Sequence, residues 1–212
     1  DHCLNQSIKF ISLLKYELFK LKNTNHMNAK NIIDSYKASN ISIPRNMIGW
    51  MRSNHAGETG AVWIYIGAQF IFWNRPIIKM SKEHYLTEKK HLVVMRHLVK
   101  RYQRSKLLIL WRILGFGLGF ISAVFGYRFF CTTIQAVETF VEKHYKEQIE
   151  FLYKTSSSYN LLEVLNICCN EEIDHQQEAK ISKGSEVFKF EKIWFSFVGS
   201  GSSVAVNISR FI

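Results

Sequence analysis

Two short motifs of the form Glu-x-x-His restrict the fold of this chain more than any other feature of its 212 residues. They are EKKH, which supplies Glu88 and His91, and EIDH, which supplies Glu172 and His175. Positions three apart lie on one face of an α-helix, so a glutamate and a histidine with this spacing can bind one metal ion from a single rigid element. The motifs therefore predict two helices, each with a potential metal-binding face.

Each motif follows, one helix later, a helix with a lone glutamate near its centre. Glu58 in HAGETG precedes Glu88 by 30 residues, and Glu138 in IQAVETF precedes Glu172 by 34 residues. These spacings describe two antiparallel helical hairpins, in which the glutamate and the motif can meet across the interface. The sequence therefore predicts a twofold repeat of Glu plus Glu-x-x-His, the arrangement of ferritin-like di-metal carboxylate bundles.

The predicted side chains suit a pair of divalent cations. Four carboxylates offset the charge of two ions and can bridge them, and with one imidazole for each ion the set favours iron or manganese over metals that prefer soft ligands. A buried cluster of four glutamates without metal repels itself. Raised carboxylate pKa values and lower stability are therefore expected of the metal-free protein.

Other acidic and histidine side chains compete for these roles. Glu171 adjoins Glu172, and Glu142 lies one turn after Glu138, so spacing alone leaves the choice within each pair open. A single helical glutamate is most often a solvated surface residue, and it gains weight here only from the repeat. The histidines interpreted as structural or exposed are His26, His55, His84 and His97.

Helical periodicity begins near Asn46, and strand-like alternation is scarce. Only Pro44 and Pro76 interrupt the chain, which permits long helices. Six helical segments are predicted: 47–73, 77–103, 107–127, 129–154, 161–182 and 187–210. Short breaks make them antiparallel neighbours, so the predicted fold is an all-α, ferritin-like four-helix bundle with additional hydrophobic or amphipathic helices and a crossover near 107–127. Residues 46–212 form the predicted di-iron domain, and residues 1–45 are interpreted as an N-terminal extension or targeting remnant.

Two glycines flank Glu58 in HAGETG. Each glycine in a helix interior costs about 1 kcal/mol relative to alanine, so some other contact must offset that loss. Gly57 and Gly60 therefore predict that the neighbouring helices, whose carboxylates share the metal pair, approach closely at this point.

Charge and hydropathy narrow the class of partner. The formal net charge is +11, yet no nucleic-acid-binding signature is present, and the basic excess between Arg75 and Arg112 precedes an apolar run, which suits an anionic membrane surface. Arg112 interrupts that run, and Ile113 to Tyr127 is shorter than the roughly 20 residues that span a bilayer, so an interfacial helix is predicted. Four cysteines without CxxC spacing indicate a reducing compartment.

With these residues in place, the chain resembles the demethoxyubiquinone hydroxylase family of ubiquinone biosynthesis from about Ile48 to its C-terminus. The segments that carry the resemblance are MRSNHAGETGA, IYIGAQ, EKKHL, LGFGLGF, CTTIQAVETFVEKHYKEQIEFL, EEIDH and VAVNISRFI. Two positions depart from the family pattern: Asn54 stands where some members have aspartate, and Asn207 where a tyrosine is expected.

The resemblance implies a di-iron enzyme that hydroxylates the ring of a demethoxyquinol with O2 and electrons derived from NADH. It implies that Glu58, Glu88 and His91 serve one iron and that Glu138, Glu172 and His175 serve the other, with bridging glutamates. It implies that Tyr145 lies at the edge of the site. By helix position alone, one to two turns after Glu138, His144 and Tyr145 can reach that edge, and a core aromatic with a satisfied hydroxyl is an equally good interpretation. The residues implied to receive the prenyl tail or to face the membrane are Leu114, Phe116, Leu118 and Phe120.

The resemblance also implies a peripheral protein on the matrix face of the mitochondrial inner membrane, with a prenylated quinone as substrate and a lipid-binding accessory protein as partner. Two other functions remain open. One is a membrane di-iron quinol oxidase that reduces dioxygen to water, and the other is an iron-binding or quinone-binding partner without turnover.

Overall fold

Seven α-helices make up most of the chain that the computed structural model describes, which is residues 29–155, 158–186 and 188–212. No strand occurs in these ranges, so the predicted all-α class is confirmed. The helices are α1 (Ala29–Ser35), α2 (Ile48–Ala68), α3 (Arg75–Leu98), α4 (Leu108–Val124), α5 (Tyr127–Thr155), α6 (Tyr159–Lys183) and α7 (Lys189–Phe211), with short 3-10 turns at Arg45–Met47 and Arg101–Gln103. Six of them match the predicted segments to within a few residues at most ends.

Local signals set several helix ends. The side chain of Asn74 accepts a hydrogen bond from the backbone N–H of Ile77 at the start of α3, and Pro76 occupies its first turn, where no N–H is needed. Ser158 caps α6 in the same way. Gly184, with φ of +85°, follows the last residue of α6 in a backbone conformation that favours glycine. These ends delimit the hairpins α2–α3 and α5–α6.

Two apolar clusters fill the bundle, one on either side of the predicted site. One cluster contains Tyr65, Phe130 and Ile134, and the other contains Tyr145 and Leu165. Along each of the four bundle helices, α2, α3, α5 and α6, the predicted glutamate lies between residues of the two clusters. The carboxylates therefore sit at the level where the two parts of the core meet.

Glycines bring α4 into backbone contact with α2. A Cβ atom on Gly119 would lie 1.8 Å from the carbonyl oxygen of Ile64, and one on Gly115 would lie 2.4 Å from that of Gly60. Because Gly60 faces Gly115 and Ile64 faces Gly119, the two helices run parallel along this contact. The hydrophobic helix α4 is therefore packed on the bundle through its small residues.

The explanation predicted for the glycines beside Glu58 needs correction. A Cβ atom on Gly57 would meet no atom within 4 Å, and one on Gly60 would meet only the carbonyl oxygen of Trp111, at 3.9 Å. The close approach is real, but it joins α2 to α4, which carries none of the predicted ligands. Gly57 instead lines a cavity beside Glu58.

Helices α4 and α7 expose apolar side chains to solvent. The exposed large apolar side chains include Ile109, Ile113 and Ile121 on α4 and Ile193 and Phe197 on α7. Among the residues described, no helix is both long and apolar enough to cross a bilayer.

Part of the predicted N-terminal extension packs on the bundle. Tyr36 and Ala38 are buried against a core cluster that includes Val94 and Leu165. The targeting interpretation and His26 fall on residues 1–28, outside the described ranges, and the boundary at residue 46 stays a prediction.

Candidate metal centre

The structure brings all six predicted ligand side chains together in the middle of the bundle. They form two groups of four whose ligand atoms lie within 4.8 Å of one another: Glu58, Glu88, His91 and Glu172 in one, and Glu88, Glu138, Glu172 and His175 in the other. Glu88 and Glu172 belong to both groups, so their carboxylates can bridge two ions. All six side chains are buried.

In each Glu-x-x-His motif, Nδ1 of the histidine lies closer to the glutamate of the other motif than to its own. Nδ1 of His91 lies 2.9 Å from Glu172 Oε1 but 4.0 Å from Glu88 in its own motif. Nδ1 of His175 lies 3.1 Å from Glu88 Oε1 and 3.5 Å from Glu172. Each histidine therefore approaches the glutamate of the other hairpin more closely than its own.

Two buried tyrosines hold the lone glutamates in a matching exchange. The hydroxyl of Tyr145 donates to Glu58 Oε1 at 2.6 Å, and that of Tyr65 donates to Glu138 Oε1 at 3.1 Å. Each tyrosine lies seven residues after the lone glutamate of its own helix and bonds the other one. Tyr145 was predicted, whereas Tyr65 was missed, although the equal spacing was visible in the sequence.

The pKa values of the buried carboxylates in the cluster shift in different directions. Burial, and then the charge of Glu172, raise the pKa of Glu88 to about 8, and the same two causes raise the pKa of Glu138 well above its usual range. Burial also opposes ionisation of Glu172, yet the charge and hydrogen bond of His91 and the nearby imidazole of His175 hold its pKa below its usual range. The expectation of raised carboxylate pKa values is therefore confirmed for Glu88 and Glu138 and wrong for Glu172.

The pKa values of the two histidines are raised, which favours their charged forms beside the carboxylates. Burial disfavours a charged imidazole, but the nearby carboxylates of Glu172 and Glu88 raise the pKa of His175 to about 11. Burial also disfavours a charged His91 ring. The electrostatic effects of Cys168 and Glu172 and a hydrogen bond with Glu171 are larger, so the pKa of His91 is raised well above its usual range. Without metal, protons thus take the place of cations between the carboxylates.

The donor set fits a pair of hard or borderline divalent cations. Oε1 of Glu88, Oε2 of Glu172 and Nδ1 of His175 are buried and make no hydrogen bond with correct geometry. Buried polar atoms without partners are costly in a folded protein, and metal coordination would satisfy all three. Four carboxylates and two imidazoles are the ligand types that iron and manganese accept.

A hydrogen-bonded chain outside the cluster orients His91. Its Nε2 lies 2.7 Å from Glu171 Oε2, and the hydroxyl of Tyr36 donates to the same oxygen at 2.5 Å. If Nε2 donates its hydrogen to the carboxylate, Nδ1 is directed at the cluster as a ligand. Glu171 thus lies outside both groups of four, and sequence reasoning missed Tyr36 because no spacing connects residue 36 to the motifs.

The remaining competitors also lie outside the two groups. Glu142 forms a surface ion pair with Lys146. His84 is buried, stacks on His175 with ring centroids 4.0 Å apart, and lies 3.0 Å from Glu178 Oε2 through its Nε2. Burial, and then the charge of His175, lower the pKa of His84 to about 4, so its ring is neutral and supports the ligand through packing.

A cavity of about 410 Å³ opens beside the cluster. All four predicted carboxylate ligands contribute to its lining, and the remaining walls come mainly from apolar or small residues of α2, α4, α5 and α7. His144 and Tyr145 also line it, so both reach the edge of the site. The cavity therefore offers space for an apolar ligand beside the carboxylates.

The four residues predicted on α4 divide between two faces. Leu114 and Leu118 line the cavity, one helical turn apart. Phe116 and Phe120 stack on each other and lie outside the lining, and Phe116 packs on Phe70. Positions two apart on a helix point to different sides, so these two phenylalanines lie on another face than Leu114 and Leu118, and contact of the four residues with the prenyl tail or the membrane stays a prediction.

The two positions that depart from the family pattern, Asn54 and Asn207, have different surroundings. Asn54 and Gln148 exchange side-chain amide hydrogen bonds of 2.8 and 3.0 Å, which joins α2 to α5 below the cluster. Asn207 is exposed and lies outside the cavity lining.

Together, an all-α bundle of two helical hairpins and a buried, twofold cluster of carboxylates and histidines define the class of ferritin-like carboxylate proteins with a candidate two-metal centre. The sequence model of the family described as "Ubiquinone biosynthesis protein COQ7" matches residues 45–209. The chain belongs to this family.

Similar proteins with curated names are hydroxylases of ubiquinone precursors by name. A protein of Dictyostelium discoideum named "NADPH-dependent 3-demethoxyubiquinone 3-hydroxylase, mitochondrial" is 28% identical over 214 residues, which cover 97% of each chain. The human protein of the same name is 28% identical over 164 residues, or 76% of this chain and 75% of its own length. A protein of Rhodospirillum rubrum named "3-demethoxyubiquinol 3-hydroxylase" is 29% identical over 164 residues, or 76% of each chain.

Proposed function

We propose that this protein hydroxylates the ring of a demethoxyubiquinol at a two-iron centre held by Glu58, Glu88, His91, Glu138, Glu172 and His175. The observation that carries the proposal is the cavity whose lining includes all four carboxylates and is otherwise mostly apolar. Membership of the family and the names of the relatives support the reaction class.

Two iron ions, when bound, would supply the redox chemistry that lets dioxygen react with the quinol ring. The overall reaction balances with one oxygen atom inserted into a ring C–H bond, the other released as water, and two electrons and a proton supplied by a reduced nicotinamide nucleotide together with a solvent proton. Glu88 and Glu172 would be shared between the ions, while each lone glutamate and each histidine serves one ion.

The protein's own side chains prepare the site for that chemistry. The hydroxyls of Tyr145 and Tyr65 fix the orientation of the lone glutamates. Glu171 fixes the ring of His91. The apolar walls, including Leu114 and Leu118, exclude water from the substrate ring and leave room for its prenyl tail.

The electron donor is a reduced nicotinamide nucleotide in this proposal. The sequence prediction named NADH, whereas the names of the eukaryotic relatives specify NADPH. The two nucleotides differ only in the 2′-phosphate, so the assay compares NADH with NADPH directly.

The proposed location is the matrix face of the mitochondrial inner membrane, with peripheral attachment. The relatives of eukaryotic origin are named mitochondrial, and the exposed apolar side chains of α4 and α7 support contact with lipid. A lipid-binding accessory protein is proposed as partner on family resemblance.

The test measures iron content and conversion of a short-chain demethoxyquinol with O2 and either NADH or NADPH. Glu58→Ala and Glu138→Ala should each lose iron and hydroxylated product. Glu142→Ala is the matched control, because Glu142 lies one turn from Glu138 and pairs with Lys146 at the surface. Full iron loading and activity in either site variant would refute the assignment of that ligand.

The same assay separates the alternative functions. A quinol oxidase would consume dioxygen and release no hydroxylated product. A partner without turnover would retain iron or quinone in a fixed ratio and consume no oxygen when reductant is supplied.

A further inference from the structure

Three arginines from different elements and a buried histidine lie at one corner of the bundle. Arg96 lies near the end of α3, Arg104 in the connection that follows, and Arg112 near the start of α4. Burial, and then the positive charges of these three arginines, lower the pKa of His55 to about 3. Nε of Arg52, three residues before His55, donates to the carbonyl oxygen of Gln103 at 2.6 Å, so this part of α2 lies beside the residue that precedes Arg104.

Backbone contacts fix this corner. The guanidinium of Arg104 donates to the carbonyl oxygen of Arg96 at 2.7 Å, which ties the connection to the end of α3. The carbonyl oxygen of Trp111 lies 3.9 Å from the Cβ position of Gly60, and α4 runs parallel to α2 from there. The start of α4 therefore lies beside the part of α2 that carries His55.

Several donors at this corner lack partners. His55 is 1% exposed, and neither of its ring nitrogens has a hydrogen-bond partner. Nε of Arg112 and Nε1 of Trp111 are also buried without one. Within residues 29–155, 158–186 and 188–212, no carboxylate lies at ion-pair distance from any of the three arginines, whereas Arg128 has Glu191.

The positive charges also oppose one another. Burial, and then the charges of Arg112 and Arg104, lower the pKa of Arg96. Partly buried positive charges that have no acid beside them are destabilising unless an anion joins them. Arginine is the side chain best suited to bind phosphate through paired hydrogen bonds.

We propose that the three arginines and His55 form a binding site for a phosphate group, with the headgroup of an anionic phospholipid as the favoured source. The exposed Ile109 and Ile113 on α4 flank this corner and are placed to enter the lipid surface beside the headgroup. A soluble phosphate ester offers the same chemistry, and the test separates the two sources.

The test compares the wild type with the double variant Arg96→Gln/Arg112→Gln. Arg104 is left intact because its guanidinium also holds the backbone. The matched control is Lys143→Gln/Lys180→Gln, which removes the same two charges from exposed positions on α5 and α6. Binding is measured by flotation with phosphatidylcholine vesicles that contain or lack phosphatidic acid, and by the shift in melting temperature with inorganic phosphate.

The double variant should bind the acidic vesicles about tenfold or more weakly than the lysine control, because each lost charge-assisted contact is worth about a factor of ten in affinity. Without phosphate it should melt at or above the wild-type temperature, since repulsion at the corner is relieved, so that weaker binding does not reflect unfolding.

Stabilisation of the wild type by inorganic phosphate, lost in the arginine variant while the three proteins bind vesicles equally, would support the site and assign it to a soluble phosphate. Two outcomes would overturn it. One is equal loss of vesicle binding in the arginine variant and the lysine control, and the other is no response of the wild type to either probe.

Discussion

The contact between α2 and α4 makes a sharp prediction about Gly119. A Cβ atom there would lie 1.8 Å from the carbonyl oxygen of Ile64 and 2.6 Å from its carbonyl carbon, and both atoms belong to backbone that cannot rotate away. Ordinary contact begins near 3.4 Å, so Gly119→Ala forces α4 outward by about 1.6 Å, the difference between 3.4 and 1.8 Å. Such overpacking costs about 1–3 kcal/mol.

Gly117→Ala is the matched control on the same helix. A Cβ atom on Gly117 meets nothing within 4 Å, so this variant keeps only the gain in helix propensity, about 0.5–1 kcal/mol. Both variants share that gain, and the difference in their free energies of unfolding therefore isolates the clash. For a domain of this size it corresponds to a melting temperature lower by about 2–12 °C in Gly119→Ala.

The assay is thermal unfolding of both variants, followed by steady-state kinetics. Because α4 supplies Leu114 and Leu118 to the cavity but no ligand to the cluster, Gly119→Ala should raise the KM for quinol while iron content stays normal. If Gly119→Ala melts at or above Gly117→Ala, the close packing of these two helices is not as described. Loss of iron with unchanged KM would contradict the role of α4 as a cavity wall.

Three further predictions concern the site. Tyr145→Phe removes the donor to Glu58 and should lower kcat/KM by roughly tenfold, the effect of about 1–2 kcal/mol, whereas Tyr153→Phe at an exposed position should have no effect. Metal-free protein should become less stable to urea as the pH rises from about 7 to about 8. The pKa of Glu88 is raised to about 8, so the folded state binds more protons than the unfolded chain in this range and loses stability as they dissociate. A free energy of unfolding that rises over this range would contradict the prediction. Tyr36→Phe should weaken iron binding by about tenfold in a chelator competition, with Tyr153→Phe again as reference, and unchanged affinity would leave Tyr36 without a positioning role.

The sequence predicts which side chains meet in the cluster because the relevant geometry is local. Glu88 and His91 share a face by helical period alone, and the repeat supplies the second half of the site. Helix ends are predicted almost as well, since Asn74 and Gly184 act within one or two residues of where they stand. In each of these cases the determining interaction joins residues close in the chain.

The misses involve contacts between distant parts of the chain. Tyr36 bonds Glu171 across 135 positions, and no period in the sequence predicts that pairing. The glycines beside Glu58 were assigned to the wrong neighbour because a small residue indicates close approach without indicating which helix approaches. Gly57 faces the cavity, and the parallel contact with α4 depends on Gly115 and Gly119.

The exchange of contacts between hairpins explains why the site requires the whole bundle. The hydroxyl of Tyr145 on α5 satisfies Glu58 on α2, and Glu172 on α6 is the nearest carboxylate to Nδ1 of His91 on α3. Each hairpin obtains a hydroxyl donor and its closest imidazole contact for a buried carboxylate from the other hairpin. Burial of four carboxylates is unfavourable for either hairpin alone, so formation of the cluster and association of the hairpins are one event.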